Sequence, residues 1–170
     1  MHRVGIDPSA VRQLVSYMGS QPSLVIEGVY THFAVADDPS HPANEKQLTL
    51  FHSVLDDLKS LGIDPPLVHA ANSAAALARH DARFSMVRLG IAMYGLQPGP
   101  GVKDLCAGLI PALSLKAKVS AVRWVTAGEA VSYGLRTPVD KDTLIASVPI
   151  GYADGVPRLL TTTDIPVLIN

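Results

Sequence analysis

A chain of 170 residues, 48% hydrophobic and 17% charged, has enough apolar material for a real core, and 14 Lys+Arg against 15 Asp+Glu (net −1) leave no basic stripe for nucleic acid. The single cysteine, Cys106, excludes an internal disulfide framework and a zinc site, which fits a reducing cytoplasm, and no metal is expected. No run approaches the ~18 apolar residues of a membrane span and the start lacks a secretion-type apolar stretch, so a small-molecule partner is expected, with no nucleic acid and no membrane.

Asp7 before Pro8 reads as an N-cap with proline at the first helical position; Val11, Leu14, Val15 and Met18 then share one helical face that Gly19 ends. The run SLVIEGVY (23–30) predicts a strand buried on both faces. In NEKQLTLFHSVLDDLKSLG (44–62) the spacing of Leu48, Phe51, Val54, Leu55, Leu58 and Leu61 predicts a helix. PPLVHA (65–70) reads as strand, NSAAALARH (72–80) as short helix and FSMVRLG (84–90) as strand again. Apolar strands alternating with helices are the pattern of a parallel sheet with helical cover.

From about residue 110 the texture changes. LSLKAKVSA (113–121) alternates apolar and polar as an antiparallel strand with one wet face does, and its phase slips at Val122–Trp124 as a bulge would make it. TAGEAVSYG (126–134) offers a turn, and TLIASVPIGY (143–152) and IPVLIN (165–170) read as further strands. The fold class is therefore α/β plus β, with the break in the Gly- and Pro-rich stretch 97–111 and domains assigned to 1–109 and 110–170. Neither half completes an architecture, so the chain is expected to be a fragment.

In parallel α/β folds ligands bind beyond the carboxyl ends of the strands. Three apolar runs end in suggestive groups: Thr31 and His32; His69 followed by Asn72 and Ser73; and Arg88 followed by Gly90 and Ile91. Asn72 and Ser73 open a helix, where backbone N–H groups and a hydroxyl suit an anion, although Asn72 alone reads as a cap. Gly90 suits close backbone approach to a phosphate, or a tight junction. Arg88 keeps its charge at any ordinary pH and needs an acceptor, from a ligand or from a carboxylate that sequence does not identify. His32, Tyr133 and Tyr152 taken singly read as ordinary half-buried residues.

Together, THFAVAD, PLVHAANSAA, MVRLGIAMYGL, AVSYG and PIGYADG, with MHRVG at the start, closely resemble the pyridoxal-phosphate-dependent alanine racemase family over essentially all 170 residues. The resemblance implies the C-terminal half of a (β/α)8 TIM-type barrel followed by the start of a mostly antiparallel β domain. It implies interconversion of L- and D-alanine by two-base proton transfer, supplying D-alanine for peptidoglycan, with pyridoxal 5'-phosphate as cofactor, alanine as substrate, a homodimer and a cytoplasmic location. By the same resemblance Arg88 donates to the cofactor's pyridine nitrogen, Ser73 with the backbone of Gly90 and Ile91 holds its phosphate, and Arg3 approaches its phenolic oxygen with support from Asn72. Tyr133 acts as an acid/base from the partner subunit, assisted by His32 and in extension by His69, and Tyr152 lines the substrate channel.

The family's cofactor lysine lies in a motif that this chain does not contain; its own lysines, at 46, 59, 103, 116, 118 and 141, have other contexts. The alternative expectations are thus an inactive truncated racemase, or a non-racemase protein built on the same cofactor-binding barrel. AVSYG, lying beyond the barrel, argues against the second.

Overall fold

In a computed structural model, which describes residues 1–162, Asp7 accepts the Ser9 N–H at 2.9 Å and Pro8 opens a 3-10 turn that runs into α1 (Val11–Gly19). Val11 and Val15 of that helix are buried, while Leu14 is left exposed, so its apolar stripe is narrower than the spacing implies. β1 (Gly28–Tyr30) pairs in parallel with β2 (Leu67–His69), Gly28 opposite Leu67 and Tyr30 opposite His69. A Cβ on Gly28 would lie 2.9 Å from the Leu67 carbonyl oxygen, so only glycine permits this approach.

Between the strands runs α2 (Pro42–Ser60), with Pro42 in its first turn and the His41 Nδ1 accepting the Ala43 N–H at 3.1 Å. It turns Leu48, Phe51, Val54 and Leu58 inward. Burying side chains of this size contributes roughly 1.5–3 kcal/mol each. Leu48 and Phe51 join Phe33 and a set of alanines, among them Ala70, Ala71 and Ala75, which are wholly buried. These small side chains let α3 (Ser73–Ala78) sit close to the strand end that precedes it.

Several expected strands are shorter or absent. Of 23–30 only Gly28–Tyr30 forms a ladder, and it is not buried on both faces: Val25 is 80% and Tyr30 53% exposed. Ile26 and Val29 pack against the α1–α2 cluster, so helical cover reaches one face, and β2 is the only strand paired with β1 among the described residues. The segment 84–90 runs beside β2 without becoming a strand. The reason is local, for the Ser85 Oγ takes the Val68 N–H at 2.7 Å and so occupies the place of a ladder acceptor, and Phe84 sits at positive φ.

The chain divides into two units, Met1–Leu113 and Ser114–Asn170. In the second, β3 (Ala121–Val125) pairs antiparallel with β6 (Thr143–Ser147), and β4 (Ala130–Val131) with β5 (Thr137–Pro138). The register from Ala121 opposite Ser147 to Val125 opposite Thr143 is unbroken, so the expected bulge at Val122–Trp124 is absent. The alternation in 113–121 does not yield a strand before Ala121, because alternation without a partner ladder buries nothing: Leu115 is 77% exposed. β6 ends at Ser147 and not at Tyr152, since Pro149 has no N–H and the Ile150 N–H turns back to Val148 O at 2.8 Å. The strand expected at 165–170 lies outside the described residues. Among the described residues no helix is long and apolar enough to cross a membrane.

Candidate active site

Because β1 and β2 are parallel, their carboxyl ends lie on the same side, and Thr31 and His32 emerge beside Ala70, Ala71 and Asn72. The ladder runs one bond further, from Thr31 N to His69 O at 3.2 Å, and the Arg88 N–H donates to Ala71 O at 3.0 Å. The third segment is thereby brought to the same rim.

Arg88 is the centre of this rim. Its Nη2 donates to Thr31 O at 2.8 Å, Ala70 O at 3.1 Å and His32 Nδ1 at 3.0 Å, and its Nη1 is hydrogen-bonded to His69 Nδ1. An arginine carries only donors, so both imidazoles must present a bare Nδ1 and keep their proton on Nε2. The electrostatics agree. His32 is pushed below its ordinary value by burial first, then by the charges of Arg88 and Arg3; His69 is lowered by burial and then by Arg88. Burial also works against the Arg88 charge. Among the described residues no carboxylate stands at ion-pair distance from Arg88, and its Nε–H has no acceptor. The structural ion pair weighed for Arg88 is therefore absent among them.

Asn72 behaves as a helix cap. Its Oδ1 accepts the Ala75 N–H at 3.0 Å, while Nδ2 reaches Phe33 O at 3.5 Å. Ser73, 5% exposed, accepts from Gly90 N at 2.9 Å and Ala92 N at 3.3 Å through its hydroxyl oxygen, and the hydroxyl proton has no acceptor among the described residues. Gly90 N–H is thus engaged by Ser73. The Ile91 N–H, first in a 3-10 turn, has no acceptor within that turn. A Cβ built on Gly90 would lie 3.8 Å from Ser73 Oγ, an ordinary contact, so the space beside this backbone is open.

These groups surround a cleft of about 270 Å³ lined by His32, Asn72, Ser73, Arg88, Gly90 and Ile91, with Asp37 also on its wall. A larger groove of about 530 Å³, formed mainly by aliphatic side chains of α1, β1 and α2, contains Arg3, which is exposed; His32 lines both. The polar chemistry gathers in the smaller space. Tyr133 and Tyr152 belong to the second unit, Tyr133 almost fully exposed on a 3-10 turn (Tyr133–Leu135) and Tyr152 opening another (Tyr152–Asp154). Ser132 and Leu135, at φ +72 and +48, hold the backbone around Tyr133 in a costly conformation.

Three contributors are not legible in the sequence. Gln47 of α2 donates to Thr31 Oγ1 at 2.9 Å and His32 O at 2.7 Å and accepts from Ala34 N at 3.3 Å, fixing the loop that carries His32. Tyr30 stacks on His69 with centroids 5.0 Å apart and planes 5° from parallel, and the Arg88 guanidinium lies 5.3 Å from its ring centre. Asp37 sits inside the quoted THFAVAD motif with no feature that marks its position. Gln47 carries one weak signal, a polar residue beside the apolar stripe of an amphipathic helix.

The family model described as alanine racemase, N-terminal domain, matches residues 1–98, and the one described as alanine racemase, C-terminal domain, matches residues 112–170. The chain is 44% identical over 164 residues to an alanine racemase of Thermobifida fusca, covering 95% of this chain and 43% of that protein. Against one of Symbiobacterium thermophilum it is 40% identical over 161 residues, covering 95% and 42%. Among solved structures, alanine racemase from Streptomyces coelicolor A3(2) superposes with a TM-score of 0.79 at 38% identity, over 92% of this chain and 42% of the other. The Bacillus anthracis enzyme with bound L-Ala-P gives 0.71 at 41% identity, over 91% and 41%. The chain thus spans about two fifths of the length of the curated relatives it matches.

Proposed function

The chain belongs to the alanine racemase family, and from that premise we propose that it forms part of a pyridoxal-phosphate-dependent enzyme that interconverts L- and D-alanine. The first unit then contributes the rim of a (β/α)8 barrel and the second the start of an antiparallel β domain. One observation carries the reading. A permanent cation, Arg88, is held by four acceptors of which none is a carboxylate, and among the described residues its Nε–H has no partner, beside a cleft with a serine hydroxyl to spare.

The residues fit this cofactor. Arg88 offers Nε–H to a pyridine nitrogen, Ser73 offers its hydroxyl proton and Ile91 its N–H to a phosphate, and Gly90 leaves the space that a side chain would fill. Arg3 is assigned to the phenolic oxygen, with Asn72 holding the same side through its cap. When bound, pyridoxal phosphate supplies the electron sink that makes a proton on the substrate Cα removable.

Arg88 cannot readily release its proton, so it would donate a hydrogen bond to the ring nitrogen without protonating it. That restrains the electron sink and favours prompt return of the proton over transamination. Racemisation needs groups on both faces of the substrate Cα, and Tyr133 of the partner subunit in a homodimer is the one assigned to one face. An unassisted phenol, with a pKa of about 10, is a poor base near neutrality. His32 is held neutral with its proton on Nε2, and that N–H is the donor that would lower the phenol's proton affinity. Tyr152 is assigned to the substrate channel, limiting side-chain size.

The test adds pyridoxal phosphate to the complete enzyme of which this chain is a part, follows its absorbance with and without borohydride, and measures D-alanine formed from L-alanine. Binding that is lost on Arg88 and Ser73 substitution supports the reading. A native protein that leaves the cofactor spectrum unchanged overturns it.

A further inference from the structure

Tyr30 and His69 are opposite one another in the parallel ladder, so their side chains stand side by side on one face of the pair. The rings stack at 5.0 Å and 5°, and the guanidinium carbon of Arg88 lies over the Tyr30 ring at 5.3 Å, inside the range in which a cation is attracted by an aromatic face. The stacking holds the plane of the His69 ring, and within that plane the Nδ1 lone pair accepts from Arg88 Nη1. The tyrosine hydroxyl itself has no hydrogen-bond partner among the described residues, and the side chain is half exposed. What Tyr30 contributes is therefore its ring.

We propose that Tyr30 is a positioning residue, an aromatic platform that holds the His69 imidazole and the Arg88 guanidinium in an arrangement that turns Nη2 and one Nη1–H to the protein and leaves Nε–H for the ligand. The use to which Nε–H is put rests on the cofactor reading above; the platform does not. Burial and the Arg88 charge hold His69 neutral, which keeps its Nδ1 available as the acceptor this arrangement needs.

The experiment uses the complete enzyme of which this chain is a part, stripped of cofactor, with three substitutions, Tyr30→Phe, Tyr30→Leu and Tyr30→3,4,5-trifluorophenylalanine. The last two keep much of the volume but remove or weaken the negative ring face. Ring 15N shifts of His69 at pH 8, without cofactor, report the tautomer, and titration with pyridoxal phosphate reports affinity. Tyr30→Phe should keep the Nε2–H tautomer and bind within about two-fold of native, whereas Tyr30→Leu should show mixed tautomers and bind about five-fold more weakly, with the trifluorinated variant between them. Should Tyr30→Leu fail to fold, the trifluorinated ring, which has nearly the shape of Phe, carries the comparison. Leu or trifluorinated variants with native tautomer and affinity overturn the platform, as does Tyr30→Phe behaving like Tyr30→Leu. A native protein that binds no cofactor while the tautomer series still follows the ring overturns the cofactor reading alone.

Discussion

Ser73 Oγ accepts the Gly90 N–H at 2.9 Å and the buried Ala92 N–H at 3.3 Å, so one hydroxyl ties the first residue of α3 to the chain that follows Arg88. Ser73→Ala removes the acceptor of both amides and should cost about 1–3 kcal/mol of stability. Urea denaturation measures that loss, and a cofactor titration should show weakened binding of pyridoxal phosphate. Ser73→Thr, which keeps the hydroxyl, should recover part of the affinity.

Arg88→Glu replaces four donated hydrogen bonds by a carboxylate facing two carbonyls and two imidazole lone pairs. In the complete enzyme it should lower racemisation and raise the share of turnovers that end in transamination, read as pyruvate formed per D-alanine. Arg88→Lys keeps the charge but not the planar fork and should bind the cofactor more weakly without shifting that ratio as far. Unchanged partitioning in Arg88→Glu would remove the assigned role.

Tyr133→Phe should leave cofactor binding intact, because Tyr133 is not assigned to hold it. Proton exchange should fail on one face only, so deuterium uptake from solvent becomes strongly unequal between L- and D-alanine as starting material. Equal uptake from both enantiomers at the native rate would contradict the assignment.

Acid should loosen the site before it loosens the rest. His32 and His69 are lowered in the folded protein, so the unfolded chain takes up these protons first. Their contribution is complete above about pH 6.5 and is lost as pH falls through the depressed folded values. Asp38 and Asp81, also lowered, add their own loss only in the carboxylate range. Melting temperature measured from pH 8 to 5 should fall, and His32→Gln with His69→Gln should flatten that slope.

Phe51, 5% exposed, packs edge-on against Phe84 at 5.4 Å within the main cluster. Phe51→Ala should destabilise the first unit by about 3–5 kcal/mol, visible as a lower denaturation midpoint.

The helices were the legible part of the fold, because a repeat of three and four over Leu48 to Leu58 already states which face is covered. Strands were legible in part: Gly28–Tyr30, Leu67–His69 and Thr143–Ser147 lie within runs read as strand, whereas 113–120 has the right alternation and no strand, and 84–90 has the right composition and a serine that takes the neighbouring amide. A strand exists through its partner, and short runs do not reveal one. At the site the motif residues at positions 32, 72, 73, 88, 90 and 91 line one cleft. Of the acceptors of Arg88, His32 and His69 were among the residues singled out, whereas the two main-chain carbonyls have no sequence signature, and the role of Tyr30 depends on a register opposite His69.

Among the described residues Arg88 is stabilised by the dipoles of carbonyls and imidazoles and by no counter-ion. A carboxylate already seated on the guanidinium would add ion-pair attraction and a second parallel bond, and so would outcompete an uncharged lone pair. With that seat open, an uncharged nitrogen, as proposed for the cofactor, would meet the guanidinium with nothing to evict. The same openness makes the rim selective by default, because a single new acidic side chain within reach of Nε would close it to a neutral guest.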